Sequence, residues 1–505
     1  MTAPRYAAAG TPSADGGSPA GGRERTSRHS TARGGRGRWT ALLVVAVPVV
    51  AVAVVEAAFP ASPAVLSPGP TDGVSVAAPG SYSSSAFCAG GTGTAAATTI
   101  YLTNTTARSV SGVMTATAPP VGSGAASTAH RTISVPALGS AAVNPASGLP
   151  GGSNASMFTF AGGGIAVNQV VSGPNGWSTA PCASQTSAMW AFAGGSTTGG
   201  NLLTLSLLNP TATEAVVNVS FLTDGGVVVP QAYQGLTVPP GQVVTDNVGD
   251  FVQNANDIAT VVTAQTGTLV STEFQQWSSG ASGGLSLRLG SPGLATTWQF
   301  AQTTAMQGAT VDFYLANPGN VPATATMTFG LSSGSVEPVQ TVVAPRSVSV
   351  MATSATPGLP HQVPYAVTVV ADQPIAVGRS VLAPSGSAPP VWGSSPGTVT
   401  TTGRWVVPGP GVPGAPGTAG AAVHSLAVAD PGTSPVQVSI TRLGERHPFT
   451  TFTVPSGGLS VLGANQVAGL APYIVSSSGP VNVEEDSVPA GTPGVVSSTG
   501  FPLSG

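Results

Sequence analysis

Two serines stand in G-x-S-x-G strings, Ser282 within 280–284 and Ser395 within 393–397. That spacing exposes a nucleophile only where a strand turns sharply into a helix, and neither string has a helical pattern after it. With 67 glycines in the chain, abundance alone supplies such strings. The run 409–414 has the spacing of a dinucleotide fingerprint, but its prolines lack the N–H groups a phosphate would need, so it reads as a loop. His130, His361, His424 and His447 are scattered without metal-ligand spacing. Asp246, Asp250 and Asp257 could offer hard oxygen ligands to calcium, but they lack the D-x-D-x-D-G order. With Glu484, Glu485 and Asp486 they read as solvated loop and strand ends. Base and nucleophile are gathered nowhere, so the expectation is a protein that is not an enzyme, with no cofactor and no metal.

Cysteine and tryptophan remain. Cys88 and Cys182 form an even pair, which in an exported chain reads as a disulfide. Trp177, Trp277 and Trp392 fall near the ends of successive repeats, where exposed rings could stack on sugar faces or buried ones could pack neighbouring modules together.

The elements that must position these residues begin with composition. The chain has 505 residues, 46 of them proline, and only 7% are charged. Its basic residues are all arginine, and those beyond Phe59 are outnumbered by acids, which argues against a nucleic-acid partner. Residues 1–38 carry no apolar period and read as a disordered cytoplasmic tail. Residues 39–59 are almost wholly apolar, with Arg33, Arg36 and Arg38 before them and Pro48 inside. This is the pattern of one transmembrane helix with its N-terminus in the cytoplasm and the rest of the chain outside the membrane. A cleaved signal is the alternative, since Val55 and Ala57 are small residues at the two positions a peptidase reads; the protein would then be secreted. Residues 60–85, rich in Pro, Ala and Ser, read as a spacer.

Beyond the spacer a pattern returns four times. Leu203, Leu205 and Leu207 alternate with Thr204 and Ser206, then come Asn209 and Pro210, then Val217, Val219 and Phe221. The same places hold Val311, Phe313 and Leu315 before Asn317, and His424, Leu426 and Val428 before Asp430. The first copy is degraded: Thr98, Ile100 and Leu102 before Asn104, without the proline. Asn or Asp followed by Pro is turn chemistry, and the alternation is that of strands with one buried face. Each copy has a second mark at Val135-Pro136, Val238-Pro239, Ala344-Pro345 or Val454-Pro455, and opens on Phe87, Trp190, Trp298 or Trp405. Each closes on what reads as a two-stranded hairpin, over 259–270, 365–377 and 472–483 in the last three copies.

About a hundred residues with some seven short strands is the expectation for an immunoglobulin-like sandwich. The predicted fold class is therefore all-β: about four tandem immunoglobulin-like β-sandwich repeats after a single N-terminal transmembrane helix. The expected bounds are 86–177, 188–278, 296–384 and 403–490, with a tail at 491–505.

An Arg-rich tail, one membrane helix and then Gly/Ala/Thr-rich β repeats carrying Asn-Pro, Val-Pro-x-Gly and Asp-Gln-Pro-Ile marks resemble a family of uncharacterised actinobacterial envelope proteins. The resemblance covers residues 39 onward and brings no activity with it. The functional expectation is a non-enzymatic, membrane-tethered structural or protein-interaction protein of the cell envelope. The alternative is a cell-wall glycan-binding module using Trp177, Trp277 and Trp392.

Overall fold

Asn209 explains why two distant marks recur together. Its Oδ1 accepts from the Thr211 N–H at 3.0 Å, closing the turn, while its Nδ2 donates to the carbonyls of Thr213 at 2.8 Å and Val238 at 2.9 Å. Val238 is the last residue of a later strand, just before Pro239, so one amide ties both marks into a single corner. Asn317 does the same with Gly319, Val321 and Val343, and Asn104 with Thr106, Arg108 and Val135.

The computed structural model describes residues 71–503 apart from 94, 121–125, 148, 150–153, 279–282, 304–308, 361–362, 386–387, 409–422, 464, 468–471 and 489–495. The expected tail and membrane helix, 1–59, lie outside the described residues. Among those described the chain is all-β, and no helix is long and apolar enough to cross a membrane.

The strands fall into four modules with one pairing scheme. In the first, the strands in order are Ser84–Cys88, Ala97–Asn104, Val110–Ala118, Ser127–Val135, Ser140–Val143, Ala155–Phe160, Ile165–Gly173 and Gly176–Pro181. One sheet has the order first, sixth, third, fourth; the other has fifth, second, seventh, eighth. The second module repeats this from Met189–Ala193 to Gly283–Leu289, with one extra short strand, Gly226–Val228. The third runs from Ala295–Thr303 to Ala388–Pro396 and the fourth from Thr402–Val407 to Val496–Thr499, again with the same pairings.

The closing hairpins are not hairpins. Tyr365–Ser385 and Tyr473–Val488 are single long strands, each pairing in one sheet with its first half and in the other with its second. In the second module Ile258–Thr266 and Val270–Trp277 likewise belong to different sheets and do not pair with each other. The Gly267 or Asp372-Gln-Pro-Ile375 stretch is thus a corner between layers; Asp372 Oδ1 accepts from the Thr324 N–H instead of closing a hairpin loop.

Each module also extends beyond its expected bounds, because the eighth strand follows the point where alternation stops. The tail 491–505 contains Val496–Thr499 and Phe501–Pro502. The spacer 60–85 is not patternless over its described part: Val76 is buried and forms a parallel bridge with Leu503.

Inside the sandwiches, alternate positions fill the core: Leu203, Leu205, Leu207, Val217, Val219 and Phe221 in the second module, with Phe313, Met327 and Val369 in the third. Full burial of one such side chain contributes about 1.5–3 kcal/mol. The opening tryptophans are buried too, and their indole N–H groups donate to equivalent carbonyls: Trp190 to Leu269 at 2.8 Å, Trp298 to Ile375 at 3.0 Å and Trp405 to Val481 at 3.1 Å. In the first module the register puts buried Ala86 at this position, and half-buried Phe87 is its neighbour.

Candidate functional site

The eighth strands carry the least regular sequence of each module, and they are where the modules meet. Gly176–Pro181 packs on Gly283–Leu289, which pairs in parallel with Ala388–Pro396 through Gly283 and Gly284. Ala388–Pro396 packs in turn on Val496–Thr499, and that strand returns to Gly176–Pro181. The four modules therefore close into a ring, with the eighth strands side by side at its middle.

A glycine permits a further approach, between the long strand of the third module and the first strand of the second. A Cβ on Gly378 would run into the carbonyl oxygen of Ala193, in the neighbouring module.

Around this junction one position of the fold carries polar residues in every module. On the seventh strands Gln169, Glu273, Arg379 and Glu485 sit across from Ile100, Leu205, Phe313 and Leu426 in register, so they share the face that carries the core. On the other side they sit across from Ala180, Arg288, Ser395 and Ser498 of the eighth strands. Those four residues, one per module, help line a cavity of about 60 Å³, together with Val74, Leu289 and Pro502. That is room for a few waters, since one needs roughly 10–15 Å³ on this measure.

The charges here are buried and mostly paired. Arg288 Nη2 meets Glu273 Oε2 at 2.6 Å, and Arg288 Nη1 donates to Ala193 O at 3.0 Å and, in the third module, to Ser394 Oγ at 3.1 Å. Burial raises the Glu273 pKa, and Arg288 opposes the rise. At the next boundary Arg379 pairs with Glu484 of the fourth module and donates to Gln302 O and, at 2.9 Å, to Ser395 Oγ. Glu484 Oε2 accepts from the Gln302 N–H at 3.1 Å, and the guanidinium lies 5.3 Å from the centre of the Phe300 ring. Burial works against the charge on Arg379, but Glu484 and Asp486 outweigh it and its pKa is raised.

Further contacts join the ring. Thr272 Oγ1 donates to Gly90 O at 2.8 Å between the first two modules, and Ser286 Oγ donates to Ser394 O at 2.8 Å between the second and third. Asp72, ahead of the first module, accepts from the Val399 N–H at 2.7 Å and from Thr398 Oγ1, so the N-terminal segment is fastened to the link between the third and fourth modules. Burial raises the Asp72 pKa against these donors.

The residues singled out from sequence are distributed as follows. Cys88 and Cys182 form a disulfide, with Cα atoms 4.6 Å apart. Trp177 is buried against Val170 and against Val496 of the fourth module. Trp277 is buried and stacks on half-buried Trp392 of the third module. Ser395 lies on a strand and accepts from Arg379, while Ser282 lies outside the described residues, as do 409–414 and His361. The side chain of His424 lies outside them as well. His130 and His447 are exposed.

Asp246 and Asp250 stay together beside buried Tyr233, whose pKa is raised first by burial and then by their two charges, while Asp257 lies apart from them, near Asp224 and Asp312. Among the described residues no group of three or more His, Cys, Asp or Glu side chains is arranged to hold a metal. Glu484, Glu485 and Asp486 are not solvated strand ends; all three are buried, because their strand runs through the ring junction. Sequence reading missed Arg288, Arg379, Glu273 and Asp72. The signal available was a charge inside an apolar strand, as in the run 283–289, where Arg288 stands between Leu287 and Leu289.

Residues 161–412 match the model of a family of unknown function, DUF5719. The matched stretch begins just before the seventh strand of the first module and ends just after the first strand of the fourth. No curated protein matches. Among solved structures, Thermotoga maritima 1070 is 17% identical, covering 20% of this chain and 92% of its own, with a TM-score of 0.19. A tetra-tandem repeat in the extending region of a large adhesion protein is 14% identical over 79% of this chain and 93% of its own, with a TM-score of 0.11.

Proposed function

We propose that the protein is a non-enzymatic structural or protein-interaction body of the bacterial cell envelope, held outside the membrane by the apolar segment 39–59. The observation that carries this reading is the ring junction, where buried charges bond one module to the next. Arg288 reaches Ser394 and Arg379 reaches Glu484, each across a boundary. Such bonds fix the modules relative to one another, which suits a presenting surface. We read the modules as tandem immunoglobulin-like sandwiches in which the first and seventh strands have exchanged sheets: the first lies beside the sixth and the seventh beside the second. Sugar stacking by Trp177 and Trp277 finds no support, since buried rings offer no face.

The test is fractionation of cells making the full chain with a C-terminal tag. The tag is expected to sediment with membranes and to be reached by antibody from outside. Replacing 1–59 with a cleavable signal is expected to release the protein to the medium. A tag reached only after lysis would overturn the reading.

A further inference from the structure

At the Asn corner the fourth module carries a carboxylate where the other three carry an amide. Part of the corner is unchanged: the Gly432 N–H donates to Asp430 Oδ1 at 2.7 Å, as Thr211 and Gly319 do to Asn209 and Asn317. The Asp430 N–H donates to Gly458 O at 2.9 Å, as the Asn209 N–H does to Gln242 O at 3.0 Å. The second side-chain atom is what differs. In every amide module Nδ2 donates to the main-chain carbonyls of the fourth residue on and of the last residue of the fourth strand. The counterparts of those carbonyls are Ser434 and Val454.

Asp430 is 2% exposed and its Oδ2 has no hydrogen-bond partner among the described residues. A carboxylate oxygen thus takes the place of a donor beside carbonyl oxygens, and the three cannot bond without something positive between them. Asp430 and Pro431 also form part of the wall of a cavity of about 190 Å³ between the third and fourth modules, large enough for several waters beside the corner.

We propose that the Asp430 corner binds a hard metal cation, calcium in the first instance, through Asp430 Oδ2 and the main-chain carbonyls of Ser434 and Val454. Oxygen ligands are those calcium takes, and one carboxylate with neutral carbonyls gives the weak class of site, with a dissociation constant on the order of 10⁻⁴–10⁻³ M. The ion does here what Nδ2 does in the other corners. A proton on Asp430 is the competing occupant: burial favours it, and the Gly432 N–H on Oδ1 opposes it.

The experiment is equilibrium dialysis of the purified full chain against radioactive calcium, paired with thermal unfolding in calcium, in sodium and in choline with chelator. About one calcium per chain and a raised unfolding temperature are expected for the wild type. Asp430→Asn, which installs the residue of the other three modules, is expected to lose both while folding normally. Equal unfolding of the wild type with calcium, sodium or chelator overturns the proposal in favour of a proton or water. Stabilisation by sodium alone overturns the choice of calcium, and an undiminished calcium response in Asp430→Asn overturns the site.

Discussion

The indole of Trp277, at the end of the second module's seventh strand, stacks on that of Trp392 in the third module's eighth strand, with ring centroids 5.9 Å apart and planes 21° apart. Stacking of this kind adds about 0.5–1.5 kcal/mol beyond burial. Trp277→Ala is expected to destabilise by about 3–5 kcal/mol in chemical denaturation, and Trp392→Ala by less, because its ring is half-buried. A double-mutant cycle measures the coupling; a value of zero would mean that the stack contributes only area.

Arg379 and Glu484 face each other across a boundary with no water-exposed route to relief. Breaking a buried pair by removing one partner costs about 3–5 kcal/mol, whereas replacing both with apolar residues is often neutral. Arg379→Met alone is therefore expected to be severely destabilised, and Arg379→Met with Glu484→Leu to recover most of the loss. Urea unfolding of the three variants checks this.

Glu485 sets a pH dependence. Burial, and then the charge of Asp486, push its carboxyl from an ordinary 4.5 up to about 8. The folded chain holds this proton more tightly than the unfolded one, so the group's contribution to stability is complete below pH 4.5 and is lost as pH rises through about 8. Glu485→Gln keeps a neutral group at all pH values. Its stability relative to the wild type is expected to be higher at pH 9 than at pH 5, read from unfolding midpoints; no change between the two would remove the assignment.

The Cys88–Cys182 bond closes 94 residues of sequence around the module with the weakest core pattern. Its loss is expected to cost about 4–5 kcal/mol on the chain-entropy account. Hydrogen exchange of the Cys88→Ser, Cys182→Ser double variant is expected to rise in residues 84–182 before the rest of the ring.

Arg346 adopts φ 53°, where the second and fourth modules place Gly241 at 68° and Gly457 at 64°. Left-handed backbone costs a side-chain-bearing residue about 1–2 kcal/mol that glycine escapes. Arg346→Gly is expected to stabilise by about 1 kcal/mol after glycine's greater unfolded freedom is counted. An unchanged or lowered unfolding midpoint would show that the Arg346 side chain compensates.

What the chain wrote down alone was the part governed by neighbours in sequence. Alternation at Leu203, Leu205 and Leu207 marked a strand, though not that its Thr204 and Ser206 face would be buried as well; Asn209-Pro210 marked its turn, and the even pair of cysteines marked the disulfide. Four repetitions gave the module count for the same reason. Tertiary structure decided what happens where alternation ends. The eighth strands are flanked by protein, so their faces need not alternate, and runs such as 178–181 and 388–396 fell outside the expected module bounds. Whether the corner at Asp372 folds back or crosses to the opposite layer depends on partners far along the chain. So does the pairing of Arg379 with Glu484, 105 residues away: a charge in a strand advertises a need for a counter-charge, but only packing of whole modules supplies one.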